Sequence, residues 1–129
     1  LGSLNGVFYT DTNTSKPTFA NHLLAANTAS DIMALVNDSP LQQYEVRSNN
    51  TGASAQADVG ATADIAYTAG DTSNFVSRCT LDDATINVAV QQLKIIGVSR
   101  DPENSDLTAA NVVWRVIVNQ SAFDDTSGV

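Results

Sequence analysis

Oxygen-bearing side chains gather in one short segment of the second half of the chain, at Asp101, Glu103, Asn104 and Asp106. Carboxylate and amide oxygens within one loop are the ligands that a hard cation such as Ca²⁺ takes. The segment lacks the glycine and the distal glutamate of an EF-hand loop, and a solvated turn between strands uses the same residue types. We therefore favour a solvated turn and assign no metal ligand; cation binding is the alternative.

Residues suited to catalysis are sparse. His22 is the only histidine, so a site that needs two imidazoles is excluded. The adjacent pairs Asp82-Asp83 and Asp124-Asp125 point to opposite sides of an extended backbone and do not converge. No GxSxG, HExxH, CxxC, P-loop or GxGxxG pattern occurs. The sequence predicts that the chain is not an enzyme, with no catalytic, cofactor-binding or metal-binding residue.

One thiol and one indole ring, those of Cys79 and Trp114, are predicted to lie in the hydrophobic core. Cys79 lies between two polar residues of a predicted strand, so its side chain is expected on the opposite, apolar face. A thiol in such a place behaves as a small hydrophobic side chain. Trp114 alternates with valines, which predicts a buried ring whose indole N–H finds a partner. As the only cysteine, Cys79 cannot form an intramolecular disulfide.

Composition narrows the possible partners. The chain has 129 residues, a size typical of one domain, and a net charge of −8. Its six basic residues are dispersed, so direct binding to nucleic acid is not expected. No apolar run approaches the roughly 20 residues that span a bilayer, so no membrane contact is expected either. We predict a single β domain over residues 1–129.

The elements that must position any site are predicted to be strands. Val112, Trp114, Val116 and Val118 share one face of an extended segment, and residues 93–99 form a strand before it. Alternation predicts another strand at residues 75–81, and shorter strands are placed at residues 7–10, 65–68 and 86–90. Residues 33–37 and 43–47 are predicted to form a hairpin around a turn at 38–41, with a short helix at 30–36 as the alternative.

The two ends look different from the middle. Residues 1–21 have few periodic apolar positions and are interpreted as a possible extended arm, and residues 124–129 as a flexible tail. The fold class predicted is all-β: a single-domain sandwich, jelly-roll-like fold or small barrel with an extended N-terminal arm.

Several segments together resemble a known family over most of the chain. They are QADVG at 56–60, ADI at 63–65, LKIIGV at 93–98, DPENSD at 101–106 and the closing VWRVIVN at 113–119. The combination is similar to the head decoration, or cement, proteins of tailed bacteriophages. That resemblance implies a non-enzymatic virion protein on the outer capsid surface, commonly a dimer or trimer, which clamps neighbouring major capsid subunits together.

Three other functions are weighed against this one. A carbohydrate-binding or adhesin-like module needs exposed rings, for which Tyr9, Tyr44, Tyr67 and Trp114 are the candidates. A coat protein that builds a shell around RNA usually carries basic residues on its inner surface, which a net charge of −8 disfavours. A small hydrolase requires His22 beside a carboxylate and a hydroxyl in a cleft.

Overall fold

The computed structural model of the chain describes residues 1–87 and 89–121. Their regular structure consists of β-strands and three short 3₁₀ helices, with no α-helix. The chain divides into two compact units: Gly2–Asp38, here the N-terminal unit, and a second unit that begins at Ser39. The all-β prediction is confirmed, but neither a jelly roll, a sandwich nor a barrel is. The predicted tail at 124–129, with Asp124 and Asp125, lies outside the described residues.

The N-terminal unit is a three-stranded antiparallel sheet. Its strands are β1 (Ser3–Thr10), β2 (Pro17–Ala20) and β3 (Met33–Asn37), in the order β2-β1-β3. Most of residues 1–21 therefore belongs to a hairpin, and the extended N-terminal arm is not confirmed. Of these strands, the sequence predicts β3 and residues 7–10 of β1 correctly. It misses β2 and the first half of β1, which is stabilised by its pairing with β3 later in the chain.

The second unit holds strands β4 to β9. Their bounds, in chain order, are Gln43–Arg47, Thr62–Ala63, Ile65–Ala66, Thr80–Leu81, Leu93–Val98 and Val113–Val118. Four of them form an antiparallel sheet in the order β4-β9-β8-β5, and β6 pairs with β7. The 3₁₀ helices span Gln56–Asp58, Asp83–Thr85 and Pro102–Asn104.

The core of the second unit lies on one face of β8 and β9. Val112, Trp114, Val116 and Val118 are buried, as the alternation predicts. Trp114 packs in one cluster with Ile95 and other apolar residues. Its indole Nε1, however, has no hydrogen-bond partner among the described residues, contrary to prediction.

Three predicted strands are shorter than expected or are not formed. Within residues 75–81 only Thr80–Leu81 is strand, because Phe75 has a φ of +57° and donates its N–H to the carbonyl of Asp71 in a turn. Cys79 is consequently exposed rather than buried. Of residues 65–68 only Ile65–Ala66 is strand. Of residues 86–90, position 88 lies outside the described residues, and among the others Asn87 makes an isolated bridge to Thr62.

The predicted hairpin between residues 33–37 and 43–47 is also wrong in its pairing. Both segments are strands, β3 and β4, and the helix alternative at 30–36 is not found. Yet β3 pairs with β1 and β4 with β9, although a turn does form where Gln42 N–H bonds to the Ser39 carbonyl. The turn thus forms one residue later than predicted, and each of the two strands pairs with a strand farther away in the sequence.

Candidate binding surface

The sheet of the N-terminal unit carries no charged residue on any of its strands. Neither SLNGVFYT, PTFA nor MALVN contains Asp, Glu, Lys or Arg, although the whole chain has a net charge of −8. In the second unit, by contrast, β4, β8 and β9 each include at least one charged side chain. The N-terminal sheet is therefore the candidate binding surface of the chain.

Four large apolar side chains share one face of this sheet. Phe8 lies directly opposite Phe19 on β2 and Met33 on β3, and Leu35 follows Met33 by two residues. Directly opposed residues, and residues two apart on a strand, point to the same side of a sheet. Phe8, Phe19, Met33 and Leu35 therefore form one surface, here called the apolar face.

The apolar face is open to solvent. Phe19 is 61% exposed, Met33 57%, Leu35 49% and Phe8 37%. Gly6 allows the ring of Phe19 to lie across the sheet, since a Cβ at that position would come within 2.5 Å of the ring. Contiguous exposed apolar side chains of this size mark protein interaction sites more often than scattered ones do.

Polar groups at one end of the sheet hold its strands in place. The carboxylate of Asp31, just before β3, accepts hydrogen bonds from the backbone N–H of Thr10 at 3.0 Å and from its hydroxyl at 2.6 Å. These bonds lower the pKa of Asp31. Asp11 accepts from the N–H groups of Asn13 and Thr14 within the turn between β1 and β2, and its pKa is lowered for the same reason. Both carboxylates therefore stabilise the fold by accepting hydrogen bonds from backbone N–H groups.

A second polar cluster joins two loops of the second unit. One carboxylate oxygen of Asp82 accepts from Asn49 Nδ2 at 3.0 Å and from the Thr51 hydroxyl at 2.8 Å, and these bonds lower its pKa. Asp83 is buried and accepts from the N–H of Asn50, while its Oδ1 has no partner among the described residues. Burial raises the pKa of Asp83. The sequence predicts no catalytic role for the two acids, but it does not reveal that they join two loops through these hydrogen bonds.

The structure does not bring the acidic segment at 101–106 together as a set of ligands. Asp101 accepts from the N–H of Glu103, and Asp106 accepts from the N–H and hydroxyl of Thr108. Asn104 instead bonds to the backbone of Val113. Among residues 1–87 and 89–121, no group of three or more His, Cys, Asp or Glu side chains is placed to hold a metal ion.

The remaining candidates belong to different units. His22, whose Nδ1 is 2.7 Å from Asn21 Oδ1, is in the N-terminal unit, whereas Cys79 and Trp114 are in the second unit. Of the four candidate rings for sugar stacking, Tyr67 is 82% exposed, Trp114 is fully buried, and Tyr9 and Tyr44 are half-buried. No helix in the described part of the chain is long and apolar enough to cross a membrane.

Comparisons with protein-family models, with curated proteins and with solved structures gave no match to this chain. The resemblance to phage decoration proteins consequently stays a prediction from the sequence segments.

Proposed function

We propose that the chain is a non-enzymatic structural protein of a tailed-phage virion, which binds the outer surface of the capsid and stabilises contacts between major capsid subunits. The observation that best supports a binding role is the apolar face, Phe8, Phe19, Met33 and Leu35, on a sheet without charged residues. The choice of the major capsid protein as the partner rests on the resemblance to phage decoration proteins.

The size of the apolar face favours a repeated contact. Fully burying one such side chain contributes about 1.5–3 kcal/mol, and these four are already partly buried, so covering them yields about 3–6 kcal/mol. Association itself costs several kcal/mol, so one copy binding alone through this face would be weak. Linking copies as a dimer or trimer on a lattice of identical subunits raises the avidity by orders of magnitude.

The charge of the chain fits the outside of a particle. A net charge of −8 repels packaged nucleic acid and keeps a decorated particle soluble. On the same grounds we propose no direct contact with nucleic acid.

The carbohydrate-binding alternative has little support. Sugar recognition by stacking uses several exposed rings together, but Trp114 is fully buried and only Tyr67 of the four candidate rings is largely exposed. No specific observation favours a shell-forming coat protein, and shell formation is an outcome of the experiment below.

The test is binding to undecorated heads built from the major capsid protein of the same phage. We expect saturable binding at a fixed ratio of chain to capsid subunit, together with a higher temperature of DNA release from the decorated heads. Assembly of the chain into closed shells by itself would identify a coat protein. A chain that leaves both the composition and the heat resistance of heads unchanged would contradict the proposal.

A further inference from the structure

The two edges of the N-terminal sheet are built differently. Strand β2 forms one edge, and it is four residues long, begins with Pro17 and follows Lys16. A short strand, a proline and a nearby lysine are the features by which proteins discourage another strand from pairing. Strand β3 forms the other edge, and its sequence MALVN contains no proline and no charge. Only one of the two edges is thus protected against strand addition.

Strand β3 is also exposed on both faces. Met33, Ala34, Leu35 and Val36 are all exposed, with Leu35 at 49% and Val36 at 53%. A strand added beside β3 would therefore meet apolar side chains on either side of the sheet. Main-chain hydrogen bonds supply affinity in such β-augmentation, and the alternating side chains supply specificity.

We propose that β3 pairs antiparallel with β3 of a second copy of this chain, about a two-fold axis at Leu35. This register sets Leu35 opposite Leu35 of the second copy, Ala34 opposite Val36, and Met33 opposite Asn37. It overlaps the whole of Met33–Asn37 and keeps both apolar faces on the same side of the joined sheet. The cross-strand pairs are then mainly aliphatic, which stabilises antiparallel pairing.

The charges on either side of β3 suit this register. Asp31 and Asp38 are the only charged residues between positions 29 and 42. With Leu35 on the axis, Asp38 lies opposite Ile32 and Asp31 opposite Ser39, so no like charges face each other. A slip of one residue that moves the axis to between Ala34 and Leu35 would set Asp31 opposite Asp38. A one-residue slip in either direction would place the two apolar faces on opposite sides of the joined sheet. A second copy thus fits this edge in one favoured alignment despite the acidity of the chain.

The paired sheets would form one continuous surface that carries two copies of the apolar face. The inference does not depend on capsid binding, because it rests only on the edge strand. Two five-residue strands bury less area than a standard interface, so we expect a weak dimer, with a dissociation constant of about 10–1,000 µM.

Sedimentation of the full chain over a wide concentration range tests the proposal without capsids. We expect a monomer–dimer equilibrium, weakened at least about tenfold by Leu35→Lys, since an edge lysine opposes strand addition. Val90→Lys is the matched control, because Val90 is 79% exposed in the second unit, and it should leave the equilibrium unchanged. A chain that stays monomeric, forms trimers or responds equally to both substitutions would overturn the proposal.

Cross-linking covers the case in which Leu35→Lys fails to fold. In a Cys79→Ser background, Leu35→Cys places two thiols opposite each other, with Cβ atoms about 5 Å apart. A short bismaleimide should then link two chains through residue 35 at concentrations where Val90→Cys gives at least about tenfold less dimer. Equal yields from the two variants would refute the β3 interface.

Discussion

The side chain of Asn104 pairs with the backbone of Val113 as a neighbouring strand would. Its Nδ2 donates to the Val113 carbonyl at 2.9 Å, and its Oδ1 accepts from the Val113 N–H at 2.8 Å. Nδ2 also donates to the Ser99 carbonyl at 3.3 Å. The Asn104 side chain thus closes the loop between β8 and β9, and the acidic segment around it has a structural role.

Replacing this amide should destabilise the second unit. Asn104→Ala removes three hydrogen bonds to partly buried backbone groups, so we expect a loss of about 1–3 kcal/mol in the free energy of unfolding. Urea denaturation followed by Trp114 fluorescence measures it. Glu103→Ala, at an exposed neighbour, should change the free energy by less than about 0.5 kcal/mol. Equal losses in the two variants would contradict this role.

Asp83 should make the stability of the chain depend on pH in an unusual direction. Burial raises the pKa of Asp83 in the folded state above the ordinary value of 3.8, which applies to the unfolded state. At a pH between the unfolded-state and the folded-state pKa, the folded state therefore binds more protons than the unfolded state. Its effect on stability is most favourable below pH 3.8 and is lost as the pH rises through the folded-state pKa. The free energy of unfolding of Asp83→Asn, relative to the unmodified chain, should therefore increase over that rise.

Asp82→Asn is the matched control for this titration. Hydrogen bonds from Thr51 and Asn49 lower the pKa of Asp82, so its contribution is present above 3.8 and is lost as the pH falls through the folded-state value. The free energy of unfolding of Asp82→Asn, relative to the unmodified chain, should therefore decrease as the pH rises. If urea titrations at several pH values gave the same slope for both variants, the assignment of Asp83 as the buried, raised-pKa acid would be wrong.

Cys79 should react with a thiol reagent in the folded protein. Its side chain is exposed, so we expect the native rate with Ellman's reagent to be within about tenfold of the rate in denaturant. Ala63→Cys in a Cys79→Ser background is the buried comparison and should be strongly protected, because Ala63 is fully buried. Comparable protection of the two thiols would restore the interpretation of Cys79 as a core residue.

The parts of the fold that the sequence predicts well are those with strong local alternation. The pattern of Val112, Trp114, Val116 and Val118 identifies β9 and its buried face, because each strand residue must point to one side or the other. The pairing of β3 with β1 and of β4 with β9 was not predictable in this way. Strand partners are chosen over long sequence separations, and a nearby turn does not decide them.

The segment at 71–79 shows how local hydrogen bonds override such a pattern. Phe75, Ser77 and Cys79 alternate as a strand would, but the carboxylate of Asp71 accepts from the N–H of Ser73 and the Asn74 side chain accepts from the N–H of Val76. Short polar side chains that bond to nearby backbone favour turns over strands. The exposure of Cys79 follows from this competition.

The sequence predicts only part of the candidate binding surface. The absence of charge from residues 3–10, 17–20 and 33–37 can be read directly, but residues 1–21 were interpreted as an arm because their apolar positions are not strictly periodic. A bulge near Asn5 shifts the register between β1 and β3, which interrupts the alternation that would otherwise predict a strand. That the face remains open is a property of tertiary structure alone.

The most direct test of the binding role compares two double variants on undecorated heads. Phe19→Ser with Met33→Ser removes two large side chains of the apolar face, and Tyr67→Ser with Val90→Ser removes two even more exposed apolar side chains from the second unit. With circular dichroism confirming that both variants are folded, we predict that the first loses at least about tenfold in affinity for heads and that the second binds like the unmodified chain. Unchanged binding by the first variant would contradict the assignment of the apolar face as the capsid-binding surface.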